Sequence, residues 1–266
     1  MTQRSNRRTL AVLAIAAVLI ITVIVVVAFR WHSGTEPTMP SAPVTTPATS
    51  AAPTYEPTDQ YGSPEPALPR GAAVAGAGGT TTGPAGLPLG YSHDETGAVN
   101  AATNYLTWMN SLRITDKNTA DQLAAATAAD NATQQALIKS FDTLRPGMQK
   151  MATSNPEPAR GAYAIAESSN GRALVYVWYP VVTNTSGQVE NWWGIDAVRV
   201  VWTEDDWKLQ DALITRTGAA AIDPADPSGN PTAQEKHSIL SRTPADPGEI
   251  TDTADQSWSE YSNAPH

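Results

Sequence analysis

The sequence predicts an α+β domain that follows an N-terminal transmembrane helix and a disordered linker. A stretch near the N-terminus is uniformly apolar, and the residues after it are dominated by proline, threonine and alanine. Further along, apolar residues first recur with the spacing of helices and then with the spacing of strands. Helices that precede a run of strands are typical of α+β domains with an antiparallel sheet.

Residues 10–29 form the predicted transmembrane helix. They carry no charge, and Thr22 is their only polar side chain. About 20 helical residues, at about 1.5 Å each, cover the ~30 Å of bilayer hydrocarbon. Arginines precede the run, so the positive-inside rule predicts residues 1–9 in the cytoplasm and the rest outside the cell. A cleaved signal peptide is the alternative, but the run is long for one and has no small-residue cleavage site beside it.

The composition excludes several classes of function. The chain has no cysteine, which excludes disulfides, thiol catalysis, thiolate metal sites and a lipoprotein anchor. Its formal net charge of −9 argues against nucleic acid as a direct partner of the outer domain. Abundant alanine, threonine, proline and arginine with little lysine indicate a high-GC bacterial genome.

Two segments have the composition of disordered chain. Residues 30–86 are rich in proline, threonine and alanine and then, from Gly71, in glycine, so they predict an extended stalk or plain disorder. Residues 223–266 are acidic and proline-rich and predict a disordered tail. Within the tail, Trp258 and Tyr261 are either a docking motif that folds on binding or stray aromatic residues.

The predicted domain, residues 87–222, begins with three helices. Ser92 and Glu95 have the spacing of a capping box, and the apolar residues that follow lie on one face of an amphipathic helix. An alanine-rich helix is predicted for Thr119 to Ala128. A third helix is predicted from Asn131 until Pro146-Gly147 ends it.

From Gly161 onward, apolar residues recur at about every second position, which is the spacing of strands. Asn170-Gly171 predicts a tight hairpin turn, and Pro180 predicts a bulge or an edge position. The predicted strands form an antiparallel meander and cover Ala162–Ala166, Arg172–Thr183, Val189–Thr203 and Trp207–Ile214.

No catalytic, cofactor-binding or metal-binding residue is assigned. His93 is the only histidine in the predicted domain, and no histidine pair has metal-ligand spacing. Asp94 and Glu95 fit helix capping, and Glu204-Asp205-Asp206 fits a turn. Asp196 and Asp211 lie within strands, where solvent exposure or pairing with Arg199 or Lys208 is a more frequent role than catalysis.

Tryptophan is the candidate for recognition. Six indoles fall between Trp108 and Trp207, and packing of the core accounts for most of them. Trp192 and Trp193 are neighbours on a strand, so their side chains point to opposite faces. One of the two is therefore expected to be partly exposed or covered by another element, and both are candidates for a partner surface.

The order of these segments resembles that of membrane-anchored nuclear-transport-factor-2-like (NTF2-like) proteins. Trp202, Trp207, Lys208 and Leu209 are similar to the closing hairpin of that fold, and residues 90–105 resemble single-span actinobacterial proteins of unknown function. The resemblance implies a cone of helices on a curved sheet. It also implies assembly work, as in conjugative scaffold subunits and Mce-associated membrane proteins.

The resulting expectation is a non-enzymatic scaffold of an envelope complex, in conjugative DNA transfer or secretion. Its expected location is the cell membrane, with one span, a cytoplasmic N-terminus and an extracellular C-terminal domain. Expected partners are the membrane and other envelope proteins, with self-association left open and no cofactor. The alternative is an extracytoplasmic module that binds a small apolar ligand or a cell-wall fragment.

Overall fold

The computed structural model describes residues 66–211, 214–217, 229–241 and 257–265. The predicted cytoplasmic segment, the predicted transmembrane helix at 10–29 and the linker up to residue 65 lie outside these residues. Among the residues described, none of the helices combines the length and apolar character needed to cross a membrane. All described residues belong to a single compact unit.

The domain is α+β, as predicted, with three helices before most of the sheet. The helices are α1 (Glu95–Met109), α2 (Lys117–Thr127) and α3 (Asn131–Met148). Each follows an aspartate whose carboxylate accepts a backbone N–H three residues later, which satisfies a donor that the helix leaves open. These N-cap residues are Asp94, Asp116 and Asp130.

Two details of the helix prediction are wrong. The cap of α1 is Asp94, and Ser92 instead donates its hydroxyl to the Asp94 carboxylate at 2.9 Å. Helix α3 continues through Pro146 and ends at Met148. Proline at that position removes one hydrogen bond close to the helix end, where few bonds remain to be lost.

The strands form a small hairpin and a large antiparallel sheet. The hairpin joins β1 (Thr81–Thr82) to β2 (Pro88–Leu89). The sheet has the order β7-β6-β5-β4-β9, with β3 also on β5 and β8 also on β6. Its strands are β3 (Thr153–Pro156), β4 (Ala162–Ser169), β5 (Arg172–Thr185), β6 (Gln188–Thr203), β7 (Asp206–Leu209), β8 (Ile214–Thr217) and β9 (Trp258–Ser259).

Two tight turns set the register of the long strands. Asn170 and Gly171 both have positive φ, at 50° and 70°, as the predicted Asn-Gly hairpin requires. Ser186 and Gly187 repeat this geometry, with φ of 53° and 85°, between β5 and β6. Strands β5 and β6 therefore pair continuously from Arg172↔Val201 to Thr185↔Gln188.

Pro180 lies in the middle of β5, at the point where the neighbouring strand changes. Strand β4 pairs with β5 up to Trp178, and β3 pairs with it from Val181. The carbonyl of Pro180 points toward this junction and accepts the N–H of Glu157 at 2.9 Å. The backbone nitrogen and carbonyl of a strand residue point to the same side. The N–H that proline lacks would therefore point toward the junction between β4 and β3, where neither strand pairs with residue 180.

The sheet is buried on both faces. Val175, Val177 and Tyr179 of β5 pack with the helices in one core, and Leu174, Tyr176 and Trp178 form a second core on the opposite face. The continuous apolar run of β5 is consistent with such two-sided burial. We call these the helix face and the outer face of the sheet.

Both chain ends of the described region pack into the domain, contrary to the predicted linker and tail: Leu68 and Trp258 join the core on the outer face, and Ala73 and Tyr261 join the core on the helix face. Leu68 is 7 % exposed, whereas residues 30–86 were predicted to be disordered throughout. Trp258 and Tyr261 are 4 % and 0 % exposed, so they are neither stray residues nor an open docking motif. The composition of these segments did not predict their burial. The long sheet, which other parts of the chain form, supplies the surface on which their few apolar side chains pack.

The two end segments also pair with each other. Residues 69–73 run beside residues 259–262 in parallel, with backbone hydrogen bonds such as Gly71 N–H to Glu260 O at 2.8 Å. Helix α4 (Ala233–Ser241) is joined to this pair by Lys236, whose ammonium is 2.6 Å from the Glu260 carboxylate. We call residues 68–75, α4 and residues 257–264 the clasp.

Candidate functional site

The candidate site lies at the turn end of the β5–β6 hairpin. Asn184 holds the turn, because its side-chain oxygen accepts the Gly187 N–H at 3.0 Å. Strand β8 pairs with β6 only along residues 194–197. In the part of the chain that the structure describes, residues 188–193 therefore have β5 as their one strand neighbour.

Trp192 and Trp193 point to opposite faces, as strand geometry predicts, and have different environments. Trp193 is 3 % exposed on the outer face, where its ring centroid lies 4.4 Å from that of Trp178. Trp192 is 38 % exposed on the helix face. Of the two candidates, Trp192 alone offers a large exposed surface, and Trp193 belongs to the outer core.

Gly194 positions the Trp192 ring. A Cβ atom at residue 194 would lie 2.5 Å from Cη2 of Trp192, so the indole occupies the space that a side chain would fill. Val189, 50 % exposed, lies on the same strand near the turn. Because Val189 and Trp192 are three residues apart on this strand, Val189 lies on the outer face and Trp192 on the helix face. We call these two exposed apolar side chains at the turn end of the hairpin the hairpin tip.

Tyr179 and Asp196 form a buried pair behind the hairpin tip on the helix face. The Tyr179 hydroxyl donates to Oδ2 of Asp196 at 2.5 Å, and each residue is 1 % exposed. Burial, and then the nearby Asp196 carboxylate, raise the pKa of the Tyr179 hydroxyl well above its ordinary value. Tyr179 therefore stays protonated and acts as a donor, which links the two central strands of the sheet.

Two further carboxylates of the strands and turns, Asp211 and Asp206, have structural partners. Asp211 pairs with Arg199 at 3.3 Å on the surface, one of the two roles expected for it. Asp206, in the predicted turn, is 4 % exposed and accepts the backbone N–H groups of Gly90 and Tyr91 at 3.1 and 3.0 Å. It thereby joins the β6–β7 turn to the segment before α1.

His93 stacks on the surface beside the same turn. Its ring lies 4.1 Å from that of Trp202 with an interplanar angle of 11°, and Trp207 approaches it edge-on. The residues that the structure describes hold no cluster of three histidine or carboxylate side chains suited to a metal ion.

A polar surface recess of about 500 Å³ lies next to Asp206. The residues that line it include Thr81, the exposed Asp205, Lys208 and the apolar Leu89. Lys208 already donates to Ala126 O at 2.9 Å and to Asp206 at 3.3 Å. The lining favours a ligand that carries hydroxyl or amide groups over a purely apolar one.

Comparison with known families finds a match. A family model described as "Domain of unknown function (DUF8175)" matches residues 30–224, more than half of the chain. The chain belongs to that family. Comparison with the curated proteins gives no match, and neither does comparison with the solved structures.

In this DUF8175 protein the matched range contains the three helices and the strands β1 to β8, but it ends before α4 and β9. The hairpin tip therefore lies within the family domain. The C-terminal half of the clasp lies beyond the matched range, although Trp258 and Tyr261 are buried in the same structure.

Sequence reasoning missed two buried polar residues of the DUF8175 domain on the outer-face side of the sheet. Asn191 is 5 % exposed on the outer face, and Arg160 is 9 % exposed beside Trp193. Glu190 precedes Asn191 and Trp192 follows it. The sequence signal for burial of Asn191 is strand alternation, which places Asn191 on the same face as buried Trp193. Arg160 lies between β3 and β4 and carries no local signal.

Proposed function

We propose that the chain is a single-pass, membrane-anchored, non-enzymatic assembly protein of an envelope complex, in DNA transfer or secretion, and that the hairpin tip contacts its partner. One observation carries the proposal. In the described part of the chain, three large hydrophobic side chains are exposed, and two of them, Val189 and Trp192, form the tip. Tryptophan is among the residues that contribute most to protein interfaces.

The proposal includes an NTF2-like cone for the domain. It is supported by the order of elements, in which α1, α2 and α3 precede a long antiparallel sheet and pack on one of its faces. The similarity of the Trp202 to Leu209 hairpin to the closing hairpin of that fold adds to this support. Since folds of this type serve several functions, the functional part of the proposal rests on the hairpin tip.

A non-enzymatic role is supported by the burial of the Tyr179–Asp196 pair. Both side chains are 1 % exposed, and the tyrosine hydroxyl is engaged with the carboxylate. A general acid or base must lie within hydrogen-bond reach of its substrate, directly or through one water. The pair is therefore proposed to link strands and not to carry out chemistry.

The test of the partner surface is crosslinking and affinity capture of the full chain from its own membranes, followed by mass spectrometry. We expect Trp192→Ala to weaken capture of the partner subunits by about 30-fold, the effect of a hot-spot residue, while thermal unfolding is unchanged. Val189→Ser is expected to act in the same direction. The matched control is Leu144→Ala, at an equally exposed residue on α3. Equal recovery by Trp192→Ala and Leu144→Ala would contradict the proposed surface.

The test of the anchor is deletion of residues 10–29. The intact chain is expected in the membrane fraction and the deleted chain in the soluble fraction, because the deletion removes the apolar run that favours bilayer insertion. Protease added to intact cells is expected to cleave the domain of the intact chain. Protection of the domain would contradict an extracellular location.

The second candidate function is binding of a cell-wall fragment, favoured by the polar recess at Thr81, Asp205 and Lys208. Calorimetric titration with a soluble muropeptide tests it. Thr81→Val removes the hydroxyl of a lining residue at nearly constant volume and is expected to weaken binding by about tenfold, whereas Trp192→Ala leaves binding unchanged. Absence of heat of binding would exclude this function.

A further inference from the structure

We propose that Trp192 and Glu190 form a site for an arginine side chain of the partner polypeptide, on the helix face of the β5–β6 hairpin. The inference rests on the proposed function, because Trp192 belongs to the hairpin tip, and it names the chemistry of the partner. Trp192 is 38 % exposed, and Glu190 is exposed beside the turn. A ligand can therefore reach both side chains from solvent.

Strand geometry places the two side chains next to each other. Strand β6 pairs with β5 without a shift of register along this stretch. Residues two apart on a strand share a face, and their Cα atoms are about 7 Å apart. Glu190 and Trp192 therefore present a carboxylate and an indole side by side on the helix face.

The Trp192 ring is held in place but keeps an open surface. Three atoms of its six-membered ring lie within 3.1 Å of the position that a Cβ of residue 194 would occupy, so the ring rests against the Gly194 backbone. Among the described residues, no aromatic ring and no guanidinium stacks on the Trp192 indole. The side of the ring turned away from Gly194 is therefore open to a ligand.

Glu190 supplies the exposed charge of this hairpin. Between residues 173 and 198 the charged side chains are Glu190 and Asp196, and Asp196 is buried against the Tyr179 hydroxyl. In the region that the structure covers, no lysine or arginine forms an ion pair with Glu190. The helix face of the hairpin thus combines an aromatic surface with one negative charge.

These two groups together favour arginine as the occupant. A cation within about 6 Å of an indole centroid is attracted by the ring. A guanidinium stacks on such a ring and directs its N–H groups toward a carboxylate, whereas a lysine ammonium is a strongly hydrated point charge that does not stack. The chain itself contains the stacked half of this arrangement, because the Arg113 guanidinium lies 3.9 Å from the Trp108 ring centroid.

Charge also distinguishes a polypeptide partner from a lipid surface. Exposed tryptophan is common at membrane interfaces, but an anionic lipid surface would repel Glu190. The formal net charge of −9 adds to this repulsion and attracts a basic partner over a longer range. The observations therefore favour a partner protein that exposes arginine.

The experiment follows the full chain, labelled with fluorotryptophan and held in detergent micelles, by fluorine nuclear magnetic resonance. The chain has eight tryptophans, and the Trp192 signal is the one that Trp192→Phe removes. The probe is an acetylated and amidated Gly-Arg-Gly-Arg-Gly peptide, and its matched control carries neutral citrulline in place of arginine. We expect the arginine peptide to shift the Trp192 signal saturably and the citrulline peptide to bind at least about tenfold more weakly.

Two variants test the role of the carboxylate. Glu190→Gln removes the charge at nearly constant size and is expected to weaken binding of the arginine peptide by about threefold, as for an exposed ion pair. The matched control is Glu167→Gln, at an exposed glutamate of β4 in the same sheet, which should leave the titration unchanged. Thermal unfolding of both variants should match that of the parent, which separates loss of contact from loss of fold.

Three results would overturn the inference: no saturable shift of the Trp192 signal, equal affinity for the arginine and citrulline peptides, or equal affinity of Glu190→Gln and the parent. Equal affinity for a peptide with lysine in place of arginine would overturn the choice of arginine. A saturable shift of the Trp192 signal on addition of phosphatidylglycerol to the micelles, with none from the arginine peptide, would assign the surface to lipid.

Capture from membranes separates this failure from that of the proposed function. Glu190→Lys reverses the charge and should weaken capture of the partner by about tenfold, whereas Glu167→Lys should not. If Trp192→Ala loses the partner while Glu190→Lys keeps it, the assembly function stands and the arginine site falls. If the arginine peptide binds as expected while Trp192→Ala captures as much partner as the parent, the site stands and the proposed function falls.

Discussion

At the scale of single residues, close backbone contacts decide which glycines can change. A Cβ atom at Gly161 would lie 1.7 Å from the Trp178 carbonyl oxygen, whereas one at Gly147 would meet nothing within 4 Å. Gly161→Ala is expected to lower the free energy of unfolding by about 3 kcal/mol, because backbone must shift. Gly147→Ala, the matched control in a helix, is expected to raise it by about 0.5–1 kcal/mol. Urea unfolding of both variants measures the difference, and similar values would contradict the close approach.

The Tyr179–Asp196 pair gives a second prediction at this scale. Tyr179→Phe keeps the buried ring but removes the donor to Oδ2, so the free energy of unfolding is expected to fall by about 1–3 kcal/mol. A double-mutant cycle with Asp196→Asn measures the coupling between the two side chains. Additive effects in urea unfolding would show that the hydrogen bond contributes nothing beyond the two separate changes.

At the scale of elements, the clasp depends on one buried ion pair. Lys236 and Glu260 are 1 % and 7 % exposed, and they join α4 to the segment that contains β9. Glu260→Ala leaves the Lys236 ammonium buried without its carboxylate and is expected to lower the free energy of unfolding by about 3 kcal/mol. Replacement of both with Lys236→Met and Glu260→Leu is expected to stay within about 1 kcal/mol of the parent.

The pH dependence of Glu260→Ala provides a check on this prediction. Burial lowers the pKa of Lys236 below the ordinary 10.5, and Glu260 opposes this effect. Without Glu260 the pKa of Lys236 in the folded state falls further. The folded variant therefore releases the Lys236 proton at a lower pH than the unfolded chain does. The variant should therefore gain stability as pH rises from neutral toward 10, relative to the parent. If the difference in free energy of unfolding between the variant and the parent does not change across that pH range, the result would argue against a buried Lys236 ammonium.

At the scale of the whole molecule, buried tyrosines predict cooperative unfolding in alkali. Burial is the largest cause of a raised pKa for five hydroxyls, those of Tyr91, Tyr105, Tyr163, Tyr179 and Tyr261. Above the ordinary value of 10.0, the unfolded chain releases these protons while the folded chain holds them. Stability should therefore fall as pH rises above 10, by about 1.4 kcal/mol per pH unit for each tyrosine.

Simultaneous recording of tyrosinate absorbance and circular dichroism measures this transition. The two signals should change together, because the buried hydroxyls ionise on unfolding. Tyr261→Phe is the control and should reduce the pH dependence by the contribution of one proton. The chain has eight tyrosines. Gradual tyrosinate absorbance near pH 10 that exceeds the contribution of the three tyrosines outside this set, without loss of structure, would contradict the burial of these side chains.

Much of the order of elements could be predicted because it depends on neighbours in the chain. The helices that begin at Glu95 and Asn131, the hairpin turn at Asn170-Gly171 and the long strands follow from spacing, turn chemistry and conformational preference. The candidate site was predicted only in part. Strand alternation required Trp192 and Trp193 to differ, but it could not say which one faces the solvent.

The sequence by itself determined the α+β class, the positions of the turns and the opposed directions of the two tryptophans, since local geometry governs all three. Only the tertiary structure decided that Trp193 packs on Trp178 and that Tyr261 and Leu68 belong to the fold. It likewise decided that Tyr179 bonds Asp196 and that the Asn191 amide is buried. These outcomes depend on surfaces assembled from residues far apart in the chain, whose approach no local pattern encodes.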